Sequence, residues 1–145
     1  MRKIVSILFI ILFGFTTNLI AEDSQSIKRI SEGAESAKIT IIAYESLTCG
    51  YCADFHKNVY PNLKKDFIDK GLVRIEFRHF PLDIAAFNAS KIGQCSNDGN
   101  ADMLNILYSG QKKWARGETP DEATKYLKKF LEDENVTLDL SLIHI

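Results

Sequence analysis

The feature that most restricts this chain is the position of Cys49-Gly50-Tyr51-Cys52, at the boundary between a β-branched run and a helical repeat. Lys38-Ile39-Thr40-Ile41-Ile42-Ala43-Tyr44 is rich in β-branched residues and bounded by polar ones, which predicts a buried strand, central in its sheet. Ser46-Leu47-Thr48 then reads as a loop. From Gly50 onward apolar side chains recur in steps of three and four, at Cys52, Phe55, Val59, Leu63 and Phe67, which predicts a helix with one buried face. Pro61 should kink that helix and Gly71 lies just past its end. Residues 72–78 alternate apolar and polar as a second strand does, and a helix between two strands implies parallel pairing through a right-handed crossover.

Two cysteines placed in this way are not equivalent. Cys49 precedes the helical stripe, so it should be exposed, with backbone N–H groups and the positive helix end directed at its sulfur, an arrangement that favours thiolate. Cys52 heads the stripe, so it should be more buried and able to resolve a mixed disulfide formed on Cys49. Other uses of the thiols stay open at this point. Cys49, Cys52, His56 and Cys95 supply four zinc-type ligands, although no second Cys-x-x-Cys or His-x-x-x-His accompanies them. A structural disulfide closing only two intervening residues would stabilise little through chain entropy, and both thiols could simply be small core residues. His56, one turn after Cys52, is placed to tune the pair, whereas Cys95 reads as a small buried hydrophobe.

The remainder of the chain organises around this unit. Arg2 and Lys3 precede an apolar run and a small-residue end at Ala21, the form of a secretory signal over residues 1–21, or of a membrane anchor if it is not cleaved. Cleaved or not, this leader predicts export of the rest into a compartment where disulfides can persist. Residues 22–37 are polar and Ser-rich and read as a linker. Beyond Pro81 the pattern becomes helical over 85–95, 102–113 and 120–131, with Thr119 as cap, Pro120 in the first turn and Glu122 completing a capping box. Trp114 and Phe87 lie in this part, either packed on the base of the fold or facing a bound peptide. With 18 basic against 19 acidic residues, there is no basic excess to neutralise phosphates, so nucleic acid is not an expected partner.

From about Ile39 to Phe130 the chain resembles the thioredoxin superfamily, and more narrowly the periplasmic DsbA-like thiol:disulfide oxidoreductases. The resemblance rests on Ser46-Leu47-Thr48-Cys49-Gly50-Tyr51-Cys52, on Phe55-His56 and on Phe77-Arg78-His79-Phe80-Pro81-Leu82-Asp83. It implies an α/β fold with a thioredoxin-like βαβ unit over 38–83 and a helical insertion over 84–134. It also implies a catalytic pair, Cys49 attacking and Cys52 resolving, that works without metal or organic cofactor. Its clients would be unfolded or reduced exported proteins, with a membrane oxidase or reductase as redox partner.

Three departures from that family matter. DsbA-type oxidases usually carry Pro-His between the cysteines, whereas Gly50-Tyr51 resembles the DsbC-type isomerases and implies a less oxidising disulfide; isomerase or reductase activity is the alternative direction. The acid that the superfamily places on the first strand is Ala43 here, and Glu45, two residues on and on the same face, is the substitute proton relay. Nothing matches the closing ββα half with its cis-proline, so residues 135–145 read as the start of a missing or mis-terminated part. A chain so shortened would leave the first strand with an unpaired apolar edge, and a non-catalytic fragment is the corresponding reading.

Overall fold

The computed structural model describes residues 27–95 and 98–137, so the leader and residues 138–145 lie outside the described residues. Among the described residues three strands form one sheet. Strand β1 is Ile30–Glu32, β2 is Ile39–Glu45 and β3 is Val73–His79, in the order β1-β3-β2. As expected from the connecting helix, β2 runs parallel to β3, in register from Ile39 opposite Val73 to Glu45 opposite His79. Strand β1 pairs antiparallel on the other side of β3, with Ile30 opposite Phe77.

This topology corrects two expectations. The segment read as a linker over 22–37 contributes a strand at Ile30–Glu32, because Ile30 buries against the core while Arg74 donates from its guanidinium to the Ser31 hydroxyl at 2.9 Å. Three residues with one apolar side chain carry too little periodicity to announce a strand. Gly33 follows at φ 102°, and a Cβ there would lie 2.6 Å from the Val73 carbonyl oxygen, so the turn out of β1 requires glycine. The second correction concerns the centre of the sheet, which is β3, not β2. Ile75 and Glu76 are buried on its opposite faces. Among the described residues β2 is an edge strand: Ile41, Ala43 and Glu45 turn inward, while Ile39, Ile42 and Tyr44 are exposed.

Helix α1 covers residues 50–68 and is not uniform. Gly50–Asp54 and Tyr60–Leu63 are α-helical, but Phe55–Val59 and Lys64–Ile68 are wide turns in which the Tyr60 N–H reaches the Phe55 carbonyl and the Asp69 N–H reaches that of Lys64. Pro61 has no N–H to give to the helix, and the wide turn directly before it accommodates the lost bond instead of a simple kink. Each wide turn inserts extra residue into the repeat. The buried face therefore drifts from the predicted Val59 and Phe67, which are exposed, to His56, Tyr60 and Ile68, with Cys52, Phe55 and Leu63 half-buried.

The helical part comprises α2 (Ile84–Gln94), α3 (Asp102–Ser109), α4 (Gln111–Trp114) and α5 (Pro120–Asp133). The single helix expected over 102–113 breaks at Gly110, where a Cβ would lie 2.1 Å from the Phe130 ring. The α3–α4 corner is thus made by close approach of α5. Thr119 caps α5 by accepting from the Glu122 N–H at 3.3 Å, but the Glu122 carboxylate takes the Glu118 N–H at 2.8 Å, one residue earlier than a capping box requires. Trp114 is fully buried and its indole N–H donates to the Leu107 carbonyl at 2.8 Å, so it packs inside the helical part, while Phe87 stays exposed. Leu104, Leu107, Leu127, Phe130 and Leu131 join Ile75 and Phe77 of the sheet in one core.

Candidate active site

The strand-to-helix junction is held from three directions. Cys49 is the N-cap of α1, in extended conformation, and its Sγ accepts the Cys52 backbone N–H at 3.3 Å. A sulfur in that position faces the helix end whose N–H groups lack carbonyl partners, which stabilises negative charge on it. Gly50 and Tyr51 project outward; Tyr51 is 89% exposed, and a Cβ on Gly50 would meet nothing within 4 Å. The intervening dipeptide is consequently free of packing duties and available to whatever approaches Cys49. Both thiols are free and half-buried. Burial pushes the Cys52 thiol up to about 11, and its hydrogen bond with Cys49 and the charges of Cys49 and Glu45 add to that rise. Cys49, expected to be exposed, is half-buried like Cys52; what distinguishes the two is that Cys49 caps the helix while the Cys52 thiol is raised.

Behind the pair lies a buried polar cluster. Glu45, at the end of β2, faces inward with Ala43, as a period of two requires. Its Oε2 lies 2.8 Å from His56 Nε2 and accepts the Tyr108 hydroxyl at 3.3 Å. The His56 ring stacks on Tyr108 with centroids 4.1 Å apart. The Tyr108 phenol is pushed well above its ordinary range by burial, with the Glu45 charge reinforcing the effect, so it serves as a donor. A carboxylate buried this deeply is tolerable because both neighbours direct polar hydrogens or a titratable nitrogen at it.

Four side chains hold the loop: Ser46, Thr48 and Asp83 stand in the motifs that carry the family resemblance, whereas Gln111 was not singled out from the sequence. The Gln111 side-chain amide donates to the carbonyls of both Leu47 and Cys49, each at 2.9 Å, fixing the turn from the helical part. Thr48 donates to Asp83 Oδ2 at 2.6 Å, while Asp83 Oδ1 accepts the Ala86 N–H at 2.7 Å and caps α2. One carboxylate thereby ties the cysteine loop to the start of the helical part. Ser46 Oγ also accepts the Leu82 N–H at 3.3 Å. A signal for Gln111 was present, since it interrupts the stripe Leu104, Leu107, Gln111, Trp114, and a polar residue on a buried stripe needs a partner.

Cys95 stands apart. Expected as a small buried hydrophobe, it is exposed at the C-terminal end of α2, where the chain leaves the core face of that helix. Among the described residues no group of three or more His, Cys, Asp or Glu side chains is gathered to hold a metal ion, so the zinc reading of Cys49, Cys52, His56 and Cys95 finds no ligand set there.

Comparison with known proteins agrees with this geometry. The thioredoxin family profile matches residues 25–141. The chain belongs to the thioredoxin family. Its fold is thioredoxin-like α/β, and its relatives within the family are DsbA-like. The crystal structure of Wolbachia pipientis α-DsbA1 superimposes with a TM-score of 0.65 at 31% identity, covering 77% of this chain and 56% of that one. A Rickettsia bellii protein named as a candidate protein-disulfide oxidoreductase is 30% identical over 122 residues, 72% of this chain and 46% of that protein. A protein-disulfide isomerase from Novosphingobium aromaticivorans shares the fold with a TM-score of 0.66 at 17% identity. This thioredoxin-family chain spans about half the length of the curated relatives it matches.

Proposed function

We propose that the chain performs thiol:disulfide exchange on cysteine pairs of exported proteins, in the periplasm, with Cys49 as the attacked and attacking sulfur. The observation that carries this reading is the placement of Cys49 as the N-cap of α1, its sulfur receiving the Cys52 N–H, with Cys52 three residues on and its thiol raised by burial. The names given to the Rickettsia and Wolbachia relatives support it.

In the oxidising direction a client thiolate attacks Cys49 Sγ of the disulfide. The Cys49–Cys52 bond breaks, Cys52 leaves with the electron pair and takes up a proton, and a client–Cys49 disulfide forms. A second client thiolate then attacks the client sulfur, completing the client disulfide and releasing Cys49 as thiolate. Two electrons pass from client to protein, and an exported redox partner, a membrane oxidase for this direction, must accept them. In isomerisation or reduction, Cys49 thiolate attacks first and Cys52 resolves. Glu45, buried behind Cys52, is the proton acceptor for that resolving step. The outward Gly50-Tyr51 pair supplies no cation to the thiolate, which favours the isomerase or reductase direction over strong oxidation.

The test is trapping. With a reduced, unfolded client, Cys52→Ser should accumulate a mixed disulfide on a non-reducing gel, and Cys49→Ser should form none. Equal trapping by both variants, or by neither, would defeat the reading.

A further inference from the structure

His56 does more than contact Glu45. Its imidazole is 96% buried by side-chain exposure of 4%, with Nε2 on the Glu45 carboxylate at 2.8 Å. The same residue forms part of the wall of a cavity of about 550 Å³ between α1 and the α3–α4 corner, shared with Asp54, Lys57, Lys112 and Lys113. These four are exposed, so the cavity communicates with solvent. His56 Nδ1 is buried and has no hydrogen-bond partner. One ring therefore touches the buried carboxylate on one side and bounds a space roomy enough for several waters, each needing about 30 Å³.

We propose that His56 is the proton-exchange residue of this site, passing protons between Glu45 and solvent in the adjoining cavity. The inference rests on the thiol-exchange reading and extends it. When Cys52 resolves a mixed disulfide, its S–H bond breaks, the electron pair stays on sulfur and the proton goes to the Glu45 carboxylate. The Cys52 thiolate attacks Cys49 Sγ, and the client sulfur leaves as thiolate. As the Cys52 proton reaches Glu45, Glu45 passes one to His56 Nε2 and His56 releases one from Nδ1 toward the cavity, so resolution goes no faster than this relay; the ring is left as the Nε2–H tautomer, and the reverse transfer, when Cys52 next leaves a disulfide and takes up a proton, restores Nδ1–H. His56 acts through Glu45 and is a positioning residue in that sense. The groups that face it are Glu45 from β2, Tyr108 from α3, Tyr60 on its own helix and the Phe77 ring of β3, with Asp54, Lys57, Lys112 and Lys113 around the cavity.

The experiment uses the full chain with Cys95→Ser, reduced and mixed with an aromatic disulfide whose thiol is coloured on release. The first release reports attack by Cys49 and the second reports resolution by Cys52. In His56→Gln the second release should slow by about 10²-fold near neutral pH, the scale of one acid–base group, and lose its dependence on pH, while the first changes less than about threefold. In His56→Ala, added imidazole should restore the second release, and pyrazole, of the same size but scarcely basic, should not. Equal rescue by pyrazole would reduce His56 to a space-filling role and overturn the inference, as would an unchanged second release in His56→Gln. Absence of the first release from the parent chain would instead defeat the thiol-exchange reading itself, and the inference with it.

Discussion

Cys49 and Cys95 are both at helix ends, and the ends are opposite. At Cys49 the chain enters α1, the sulfur accepts a backbone N–H, and the adjoining carbonyls are gripped by Gln111 from another element. At Cys95 the chain leaves α2, its own N–H is used on the Ile92 carbonyl, and the side chain is exposed. A helix N-terminus favours a negative sulfur and a C-terminus opposes it, so the proposed exchange chemistry belongs to Cys49 and not to Cys95. Exposure alone does not make a thiol reactive; the direction of the backbone beside it does.

The largest effect that tests this contrast is removal of the sulfur. Cys49→Ser should lower exchange by about 10³-fold or more, to the level of free thiols in solution, because in the proposed mechanism the covalent intermediate forms on this sulfur. Turnover of a client disulfide measures it. Retention of substantial exchange would transfer the chemistry to Cys52 or Cys95 and erase the distinction between the two regions.

Next comes the grip on the loop. Gln111→Leu removes both amide donors and leaves the buried Leu47 carbonyl without that partner, while the Cys49 carbonyl keeps the Ala53 N–H at 3.1 Å, a loss of about 1–3 kcal/mol in urea denaturation. If Gln111 serves the turn and not only the core, the rate of Cys49 alkylation should shift as well. A stability change without a rate change would show the turn holding its own shape.

A smaller effect is expected from pH. In the reduced chain the Cys52 thiol is raised to about 11 from an ordinary 9.0, by burial first. The unfolded chain then loses this proton at lower pH than the folded one. The stability that comes from keeping Cys52 protonated is complete below pH 9.0 and lost as pH rises toward about 11. Urea midpoints of the reduced chain should therefore fall across that window more steeply than those of Cys52→Ser. Parallel curves would mean that Cys52 is less buried than the structure has it.

How much of this was legible in the sequence depended on the length of the signal. Strand, cysteine turn, helix and parallel strand were readable because β2, α1 and β3 each span several periods, and Glu45 could be placed on the Ala43 face by alternation alone. The register of α1 beyond Phe55 was not, since a wide turn leaves no mark in composition other than Pro61 downstream; the assignments at Val59 and Phe67 moved by one position, to Tyr60 and Ile68, while Leu63 held. Strand β1 was hidden by its brevity. The position of β2 at the sheet edge depends on which strands are present to pair, a property of the whole sheet that no single run encodes. Gln111 was readable only as an anomaly: the stripe around it revealed that it is buried, and nothing local revealed that its partners are 62 and 64 residues away.

The smallest expected effect is the one that isolates Cys95. Its side chain is exposed, it makes no contact on which the Cys49 turn depends, and its backbone role at the end of α2 is served by any residue. Cys95→Ser should thus leave stability within about 0.5 kcal/mol, the range of ordinary surface substitutions. It should also leave client turnover unchanged. The sharper reading comes from alkylation of the reduced parent chain at mildly acidic pH, followed by peptide mapping. Cys49 should label first although Cys95 is the more exposed thiol, because iodoacetamide reacts with thiolate and only Cys49 has N–H groups arranged to stabilise one. If Cys95 labels as fast as Cys49, exposure outweighs helix direction, and the contrast between the two regions fails at its root.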